Sequence, residues 1–215
     1  MAENKFIASI KRDFSMMAIL LIPVCVAINI VGGQLDGALK LPIYLDSIGT
    51  IISGMLAGPW VGALVGALSN LINGIFDSSY IPYTIVSIAI GLTAGFLAQG
   101  KWFTKPWKVF VSGVIIGLVA TVIGTPITVW VYGGVTGSGS TFITGWLEAT
   151  GHSLWGSVTM SVLGSNLFDK VISAIVAFFV VDAIPERYLA QFSLGKLYIK
   201  ARSAISHVIE DKAQA

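Results

Sequence analysis

The sequence predicts an all-α integral membrane protein with six transmembrane helices, cytoplasmic N- and C-termini and a short amphipathic C-terminal helix. Three observations lead to this fold class. The chain has 215 residues, of which 55% are hydrophobic and 11% are charged, whereas soluble domains carry about 25% charged residues. Apolar stretches long enough to cross a bilayer recur along the chain. Finally, eleven of the thirteen Lys and Arg residues fall in three clusters outside those stretches, and basic residues of membrane proteins accumulate on the cytoplasmic side.

The apolar stretches give the helices in order. The first predicted helix runs from Phe14 to Val31 and ends at the glycine pair that follows it. The stretch from Leu45 to Phe76 is either one very long helix or two short helices broken at Gly58-Pro59. Proline lacks a backbone donor and disfavours helix at the residue before it, which favours two helices. The remaining predicted helices are Tyr80–Ala98, Val109–Val131 and Val162–Val181.

The basic clusters also favour two helices in the ambiguous stretch. With five helices, the second and third clusters would lie across the membrane from the basic N-terminus, and with six helices all three lie on one side. We therefore predict a six-helix membrane domain over residues 1–185 and a basic cytoplasmic tail over 186–215. The spacing of apolar residues in the tail predicts an amphipathic helix at the membrane surface or against a partner. The three basic clusters are Lys5, Lys11 and Arg12; Lys101, Lys105 and Lys108; and Arg187, Lys196, Lys200, Arg202 and Lys212. The apolar residues that define the tail pattern are Leu197, Ala201, Ile205 and Val208.

Polar and aromatic residues gather on the predicted external side. Three connectors lie there, at 34–44, 74–80 and 132–161, and the last is long and contains no Lys or Arg. Ionisable groups within membrane spans are candidates for function, and hydrogen-bonding groups combined with aromatic rings suit a small, polar, ring-containing solute. The alternatives are a helix cap at Asp46, an internal polar clasp around Asp169 and Lys170, and an interfacial belt of tyrosines. The candidate binding residues are Asn29, Gln34, Asp46, Asn70, Tyr83, Trp146, Glu148, His152, Trp155, Asn166, Asp169 and Lys170.

The sequence offers little that indicates catalysis. It contains no H-E-x-x-H motif, no phosphate-binding loop and only one cysteine, Cys25. We therefore expect no enzyme activity, no metal and no cofactor. The clustered basic residues follow a topology pattern and do not form an aromatic-interleaved patch, so we expect no nucleic-acid partner.

Three neighbouring segments carry a family resemblance. They are Asn29–Gln34 (NIVGGQ), Leu41–Thr50 (LPIYLDSIGT) and Leu56–Gly66 (LAGPWVGALVG). Together with the six-helix layout, they resemble the substrate-specific (S) components of energy-coupling factor (ECF) transporters of prokaryotic cell membranes. The resemblance implies a subunit that captures a micronutrient outside the cell, docks on a membrane coupling subunit driven by two ATPase subunits, and topples to release its cargo inside. It also implies a pocket at the outer ends of the later helices, capped by external loops. Here those positions hold Trp146, Glu148, His152, Trp155, Asn166, Asp169 and Lys170.

The docking surface departs from the pattern that the resemblance implies. Many S components carry an Ala-x-x-x-Ala stripe on the first helix, and here that helix has only scattered small residues. Glycines recur every four residues in the second and third helices, where small residues allow close helix packing in lipid. Most of them suit internal packing of the bundle, and some are candidates for docking. The candidate docking residues are Ser15, Ala18, Gly54, Gly58, Gly62 and Gly66.

Three hypotheses for function follow. The first is an S component that imports a vitamin or a nucleoside-like compound, with Trp146 and Trp155 stacking on a heterocycle. The second is a ligand-binding membrane sensor, and the third is a stand-alone secondary transporter. The sequence shows no convincing internal repeat of the kind that many secondary transporters contain.

Overall fold

The computed structural model describes residues 5–39, 43–136 and 138–213, with side chains described for residues 7–35, 38–39, 43–136 and 138–204. The described residues form ten α-helices and one 3-10 turn at Ser78–Tyr80, with no β-strand among them. The helices are α1 Lys5–Asp13, α2 Met16–Leu39, α3 Ile48–Ala57, α4 Pro59–Phe76, α5 Thr84–Gln99, α6 Pro106–Tyr132, α7 Ser140–Ala149, α8 Leu154–Ala183, α9 Glu186–Leu189 and α10 Gly195–Ala213.

Six of these helices are apolar, and they occur where the sequence predicts them. Four of them, α2, α4, α6 and α8, are long and apolar enough to cross a membrane. The other two are shorter, with 10 residues in α3 and 16 in α5. At a rise of about 1.5 Å per residue, α3 is roughly 15 Å long, about half the thickness of a bilayer core. The chain is therefore all-helical with four candidate membrane spans, and the count of six crossings stays a prediction.

The chain breaks at Gly58-Pro59, as predicted. Gly58 adopts a φ of 106° between α3 and α4, and Pro59 takes the first position of α4. A side chain at Gly58 would also collide with the carboxylate of Asp13, since an added Cβ would lie 2.4 Å from its Oδ2 atom. Glycine is therefore required here by both the backbone conformation and the neighbouring side chain.

Helix α3 is the centre of the bundle. It contacts α2, α4, α5 and α8, and nine of its ten residues, all but Ile48, are buried. A helix that is apolar on every face is expected to be buried in this way. By contrast, α2 lies at the periphery and exposes a stripe of apolar side chains along its length. These are Met16, Leu20, Val24, Val31 and Leu35.

The glycines at four-residue spacing pack helices against each other inside the bundle. An added Cβ at Gly91 would lie 2.2 Å from the carbonyl carbon of Gly62, and one at Gly95 would lie 2.3 Å from Pro59. The prediction of internal packing is confirmed for these helices. Five of the six predicted docking residues are buried within the bundle in this conformation and present no surface to a partner, so docking through them stays a prediction. They are Ala18, Gly54, Gly58, Gly62 and Gly66, whereas Ser15 is half-buried.

The alternating directions of the apolar helices give the bundle two distinct ends. We name them the cavity end, where α3, α5 and α8 begin, and the tail end, where α9 and α10 lie. Helix α1, the turn between α5 and α6, and the start of α10 carry basic clusters at the tail end. Asp13 of α1 accepts from Trp60 N at the start of α4, and Phe103 of the turn and Arg202 of α10 lie beside Val181 near the end of α8. This shared end agrees with an even number of crossings, and its cytoplasmic assignment stays a prediction.

The tail packs onto the bundle. Its backbone and hydroxyl groups satisfy the last carbonyls of α3: Leu194 N donates to Leu56 O at 3.1 Å, and the Tyr198 hydroxyl donates to Met55 O at 3.1 Å. The first part of α10 therefore faces the bundle, whereas the sequence suggested the membrane surface or a partner. The side chains of Ile205 and Val208, which belong to the predicted amphipathic pattern, lie outside those described. The domain boundary at residue 185 stays a prediction. The tail residues buried in the main core are Leu189, Phe192, Leu194 and Tyr198.

Candidate functional site

A cavity of about 200 Å³ lies at the cavity end of the bundle. Its walls come from α5, α6 and α8, from the connector that precedes α3, and from the segments that follow α4 and α6. Its apolar lining residues are Val86, Ile90, Ala120, Gly124 and Val162. Its polar and aromatic lining residues are Tyr44, Asp46, Asp77, Ser79, Tyr80, Tyr83, Ser87, Thr128, Thr136, Ser138, Asn166 and Lys170.

A buried charge cluster lies on the α8 side of the cavity. The Lys170 ammonium forms ion pairs with Asp169 and with Asp46, the latter with 3.4 Å between Nζ and Oδ1. It also donates to the Ser47 hydroxyl at 2.8 Å. Adjacent residues on a helix point about 100° apart, yet the long Lys170 side chain reaches the carboxylate of its neighbour. The cluster thus joins α8 to the connector before α3.

The connector is held in an unusual conformation at Leu45. This residue has a φ of 51°, which is uncommon for a residue other than glycine. Its N–H donates to Asp169 Oδ1 at 2.8 Å, and its carbonyl oxygen lies where a Cβ on Gly32 would be, at 2.0 Å. The prediction that the first helix ends at Gly32-Gly33 is therefore wrong. Helix α2 continues to Leu39, and Gly32 makes room for the connector that positions the lining residues on either side of Leu45.

Tyrosines form an aromatic wall on the α5 and α6 side. Tyr83 stacks on Tyr132 with 5.8 Å between ring centroids and an interplanar angle of 5°. The Tyr83 hydroxyl shares a hydrogen bond of 2.7 Å with Thr128, and the Tyr132 hydroxyl donates to Ser79 O at 2.9 Å. These bonds fix the Tyr83 ring beside the cavity.

A chain of hydroxyl groups connects the cavity to α7. Ser138 shares hydrogen bonds with Thr136 at 2.9 Å and with Ser140 at 2.7 Å. Ser140 in turn shares a bond of 3.2 Å with the Tyr44 hydroxyl, and its carbonyl accepts from the Ser161 hydroxyl at 2.7 Å. A hydroxyl can both donate and accept, so this side of the cavity can adapt to either polarity in a ligand.

A family model described as "ECF transporter, substrate-specific component" matches residues 17–181. The match covers well over half of the chain. The chain belongs to the ECF substrate-specific components. It is therefore a membrane protein and a transporter subunit that is not itself an enzyme. Comparisons with curated proteins and with solved structures gave no match.

Four of the predicted binding residues of this S component line the cavity, and a fifth adjoins it. Asp46, Tyr83, Asn166 and Lys170 contribute to the lining. Asp169 is fully buried behind Lys170 and anchors Leu45. These residues come from three separate segments, the connector before α3, the residue that precedes α5 and helix α8, which only the folded bundle brings together.

Three further predicted residues lie outside the cavity and act within the structure of the bundle. Asn29 is fully buried, and its side chain bonds to Thr50 at 2.8 Å, to Ser69 at 2.9 Å and to Gly49 N at 2.7 Å. It therefore ties α2 to α3 and α4. The other two make single bonds near the cavity end: Gln34 donates to Asn73 at 3.3 Å, and Asn70 donates to Tyr80 O at 3.3 Å.

The four residues predicted from the long external loop are exposed and lie outside the cavity lining. Much of that loop is helical, since it contains α7 and the start of α8. Helix α7 buries its small polar residues and exposes its aromatic ones, so Trp146 is 66% exposed. Trp155 packs edge-on against Trp130 with 5.7 Å between centroids, and Glu148 and His152 are exposed. In this conformation the expected tryptophan stacking platform is therefore absent from the described cavity, and tyrosines provide its aromatic surface.

The sequence contained two signals for lining residues that the prediction omitted. Tyr44 precedes Asp46 in the segment that carries the family resemblance, at the point where the connector meets the cavity. Ala120, Gly124 and Thr128 recur every four residues in the second half of α6, and this small-residue stripe faces the cavity. No group of three or more His, Cys, Asp or Glu side chains that could hold a metal ion occurs among the described residues.

Proposed function

We propose that this S component captures a small, ring-containing micronutrient, either a vitamin or a nucleoside-like compound, for an ATP-driven ECF importer. The observation that carries the proposal is the cavity of about 200 Å³ with its mixed lining. An engineered cavity of about 150 Å³ accepts benzene, so this cavity suits a compound of one or two rings. Its combination of an apolar floor with a few placed polar groups is typical of small-molecule sites.

The lining chemistry supports a heterocyclic compound. Tyr44, Tyr80 and Tyr83 offer ring surfaces, and aromatic rings pair favourably in offset or edge-to-face geometry. Asp46, Asn166 and Thr128 offer hydrogen-bonding groups for ring nitrogens or hydroxyls. Each has at least one protein partner and retains further hydrogen-bonding capacity, which a hydrocarbon-like ligand would shield from water without offering a new bond.

The distribution of charge supports an outward-facing cavity. The tail end carries the three basic clusters, and basic residues favour the cytoplasmic side. In this orientation the cavity end faces outside, and α9 and α10 lie on the side of the two ATPase subunits. Release then follows from toppling of the bundle on the membrane coupling subunit.

Binding and co-purification together test the proposal. The purified protein is titrated with a panel of vitamins and nucleosides, and any small molecule that co-purifies is identified by mass spectrometry. We expect at least one panel compound to bind with a Kd below one micromolar, and tagged protein to co-purify with a coupling subunit and two ATPases. Binding without those partners would favour a sensor, and uptake that depends on an ion gradient without an ATPase would favour a secondary transporter. Absence of any ligand below micromolar concentration would contradict the proposal.

A further inference from the structure

The charge cluster beside the cavity carries one negative charge in excess. It contains two carboxylates, Asp46 and Asp169, and one ammonium, Lys170. The side chains of Asp169 and Lys170 are 0% and 3% exposed, so water screens these charges little. One positive charge shared between two carboxylates leaves a net negative charge, which a cationic ligand would neutralise.

The Lys170 ammonium has no donor to spare for an anionic ligand. An ammonium has three N–H donors, and here its acceptors are Asp169 Oδ2, Ser47 Oγ at 2.8 Å and Asp46 Oδ1 at 3.4 Å. A ligand carboxylate or phosphate would have to break one of these bonds. It would also approach two carboxylates at close range.

Asp46 is the charged group of the cluster that is free to meet a ligand. Its partner Asp169 is fully buried and bonds to Lys170 and to Leu45 N. Asp46 lines the cavity, its side chain is 18% exposed, and its contact with Lys170 is the longest in the cluster. A carboxylate has about four acceptor sites, so the contact with Lys170 leaves Asp46 with acceptor sites for a ligand.

The other lining residues also favour a cationic ligand over an anionic one. Asp77 is a second carboxylate in the lining, and the other described lining side chains, apart from Lys170, are neutral or apolar. Tyr44 places its ring 5.8 Å from the Lys170 ammonium. The charged and titratable groups around Asp46 are thus Lys170, Asp169 and Tyr44, with Asp77 elsewhere in the same cavity.

We propose that the ligand of this S component carries a positively charged nitrogen group that binds to Asp46, on an aromatic or heteroaromatic ring held among the tyrosines. This inference rests on the proposed capture function and adds the charge class of the substrate. Anionic vitamins and phosphorylated nucleosides are excluded by it. Attraction between the positive charge of the ligand and the partly buried Asp46 carboxylate accounts for at least a tenfold change in affinity, since tenfold corresponds to only about 1.4 kcal/mol.

A matched charge series tests the inference on the wild-type protein. The probes are 1-methylnicotinamide, nicotinamide and nicotinate, which share one ring and carry a positive, a neutral and a negative charge, and they are titrated beside the vitamin and nucleoside panel. We expect the cation to bind at least tenfold more tightly than the neutral probe, and the anion to bind most weakly. The inference would be overturned if nicotinate bound most tightly of the three probes. It would also be overturned if none of the probes bound and the tightest panel compound were anionic or neutral.

A variant tests whether Asp46 causes the preference for a cation. Asp46→Asn keeps the size of the side chain and removes its charge, so the advantage of the cation should fall at least tenfold. The matched control is Glu186→Gln, which removes an exposed carboxylate from the start of α9 at the tail end and should leave the order of the probes unchanged. An unchanged preference in folded Asp46→Asn would also overturn the inference. Failure of the whole panel, with no co-purified small molecule, would instead refute the proposed capture function. The probe series on the wild-type protein needs no variant, so it tests the charge preference even if Asp46→Asn does not fold.

Discussion

The substitution Gly124→Ala tests whether the ligand occupies the cavity against α6. Gly124 lines the cavity, and an added Cβ would meet only Val86 Cγ2, at 3.9 Å, which is ordinary van der Waals contact. The new methyl group therefore enters the cavity without a clash in the unliganded protein. Because alanine favours helix over glycine by about 0.5–1 kcal/mol, the stability of the variant should be unchanged or slightly raised.

The same methyl group should weaken ligand binding. Forcing an extra methyl group into a filled site costs about 1–3 kcal/mol, which corresponds to roughly a 5- to 150-fold rise in Kd. The matched control is Gly164→Ala on α8, where an added Cβ has no atom within 4 Å and Gly164 is not in the cavity lining. Isothermal titration of both variants with the tightest panel ligand measures the effect. Equal affinities for Gly124→Ala and wild type would refute the placement of the ligand against α6.

The remaining predictions concern stability and pH. Gly91→Ala would place a Cβ 2.2 Å from the carbonyl carbon of Gly62, so we expect the free energy of unfolding to fall by about 1–3 kcal/mol. On heating, the thiol of the buried Cys25 should then react with a labelling reagent at a lower temperature than in wild type. Labelling at the wild-type temperature would contradict this packing. Asn29→Ala removes three buried hydrogen bonds and should lower the free energy of unfolding by at least about 2 kcal/mol in the same assay. Its ligand affinity, measured below the unfolding temperature, should equal that of wild type. Burial raises the pKa of Asp46, against the opposing effect of its ion pair. Because a cation binds the carboxylate form, affinity for 1-methylnicotinamide should fall as the pH is lowered through that raised pKa, and this dependence should be lost in Asp46→Asn.

Helix positions could be predicted because they follow from local composition. Continuous apolar stretches require helices in a bilayer, since every backbone polar group must be satisfied within the segment. The break at Gly58-Pro59 is equally local, because proline constrains the residue before it. The end of α2 was predicted wrongly, because Gly32, the first glycine of the pair that suggested a stop, instead admits the carbonyl of Leu45. That contact joins residues distant in sequence and leaves no local signal.

The candidate site was predicted in part. Asp46, Tyr83, Asn166 and Lys170 were found because ionisable and polar groups at membrane depth are rare and costly. Trp146 lies outside the cavity lining because α7 turns its small polar face inward and its aromatic face outward, and no local pattern in the sequence indicates that direction. Polar groups that serve packing also resemble polar groups that serve binding until their partners are known.

The sequence by itself determined the membrane class, the positions of the six apolar helices and the family resemblance that the family match confirms. These features depend on composition and on residues close together in the chain. Only the tertiary structure decided which side chains share the cavity and how their charges are paired. The reason is that Lys170 meets Asp46 and Ser47 across more than 120 residues of chain, and such contacts depend on how helices pack. The same packing placed the four-residue glycines inside the bundle, with a neighbouring backbone against Gly54, Gly62 and Gly66 and the Asp13 carboxylate against Gly58.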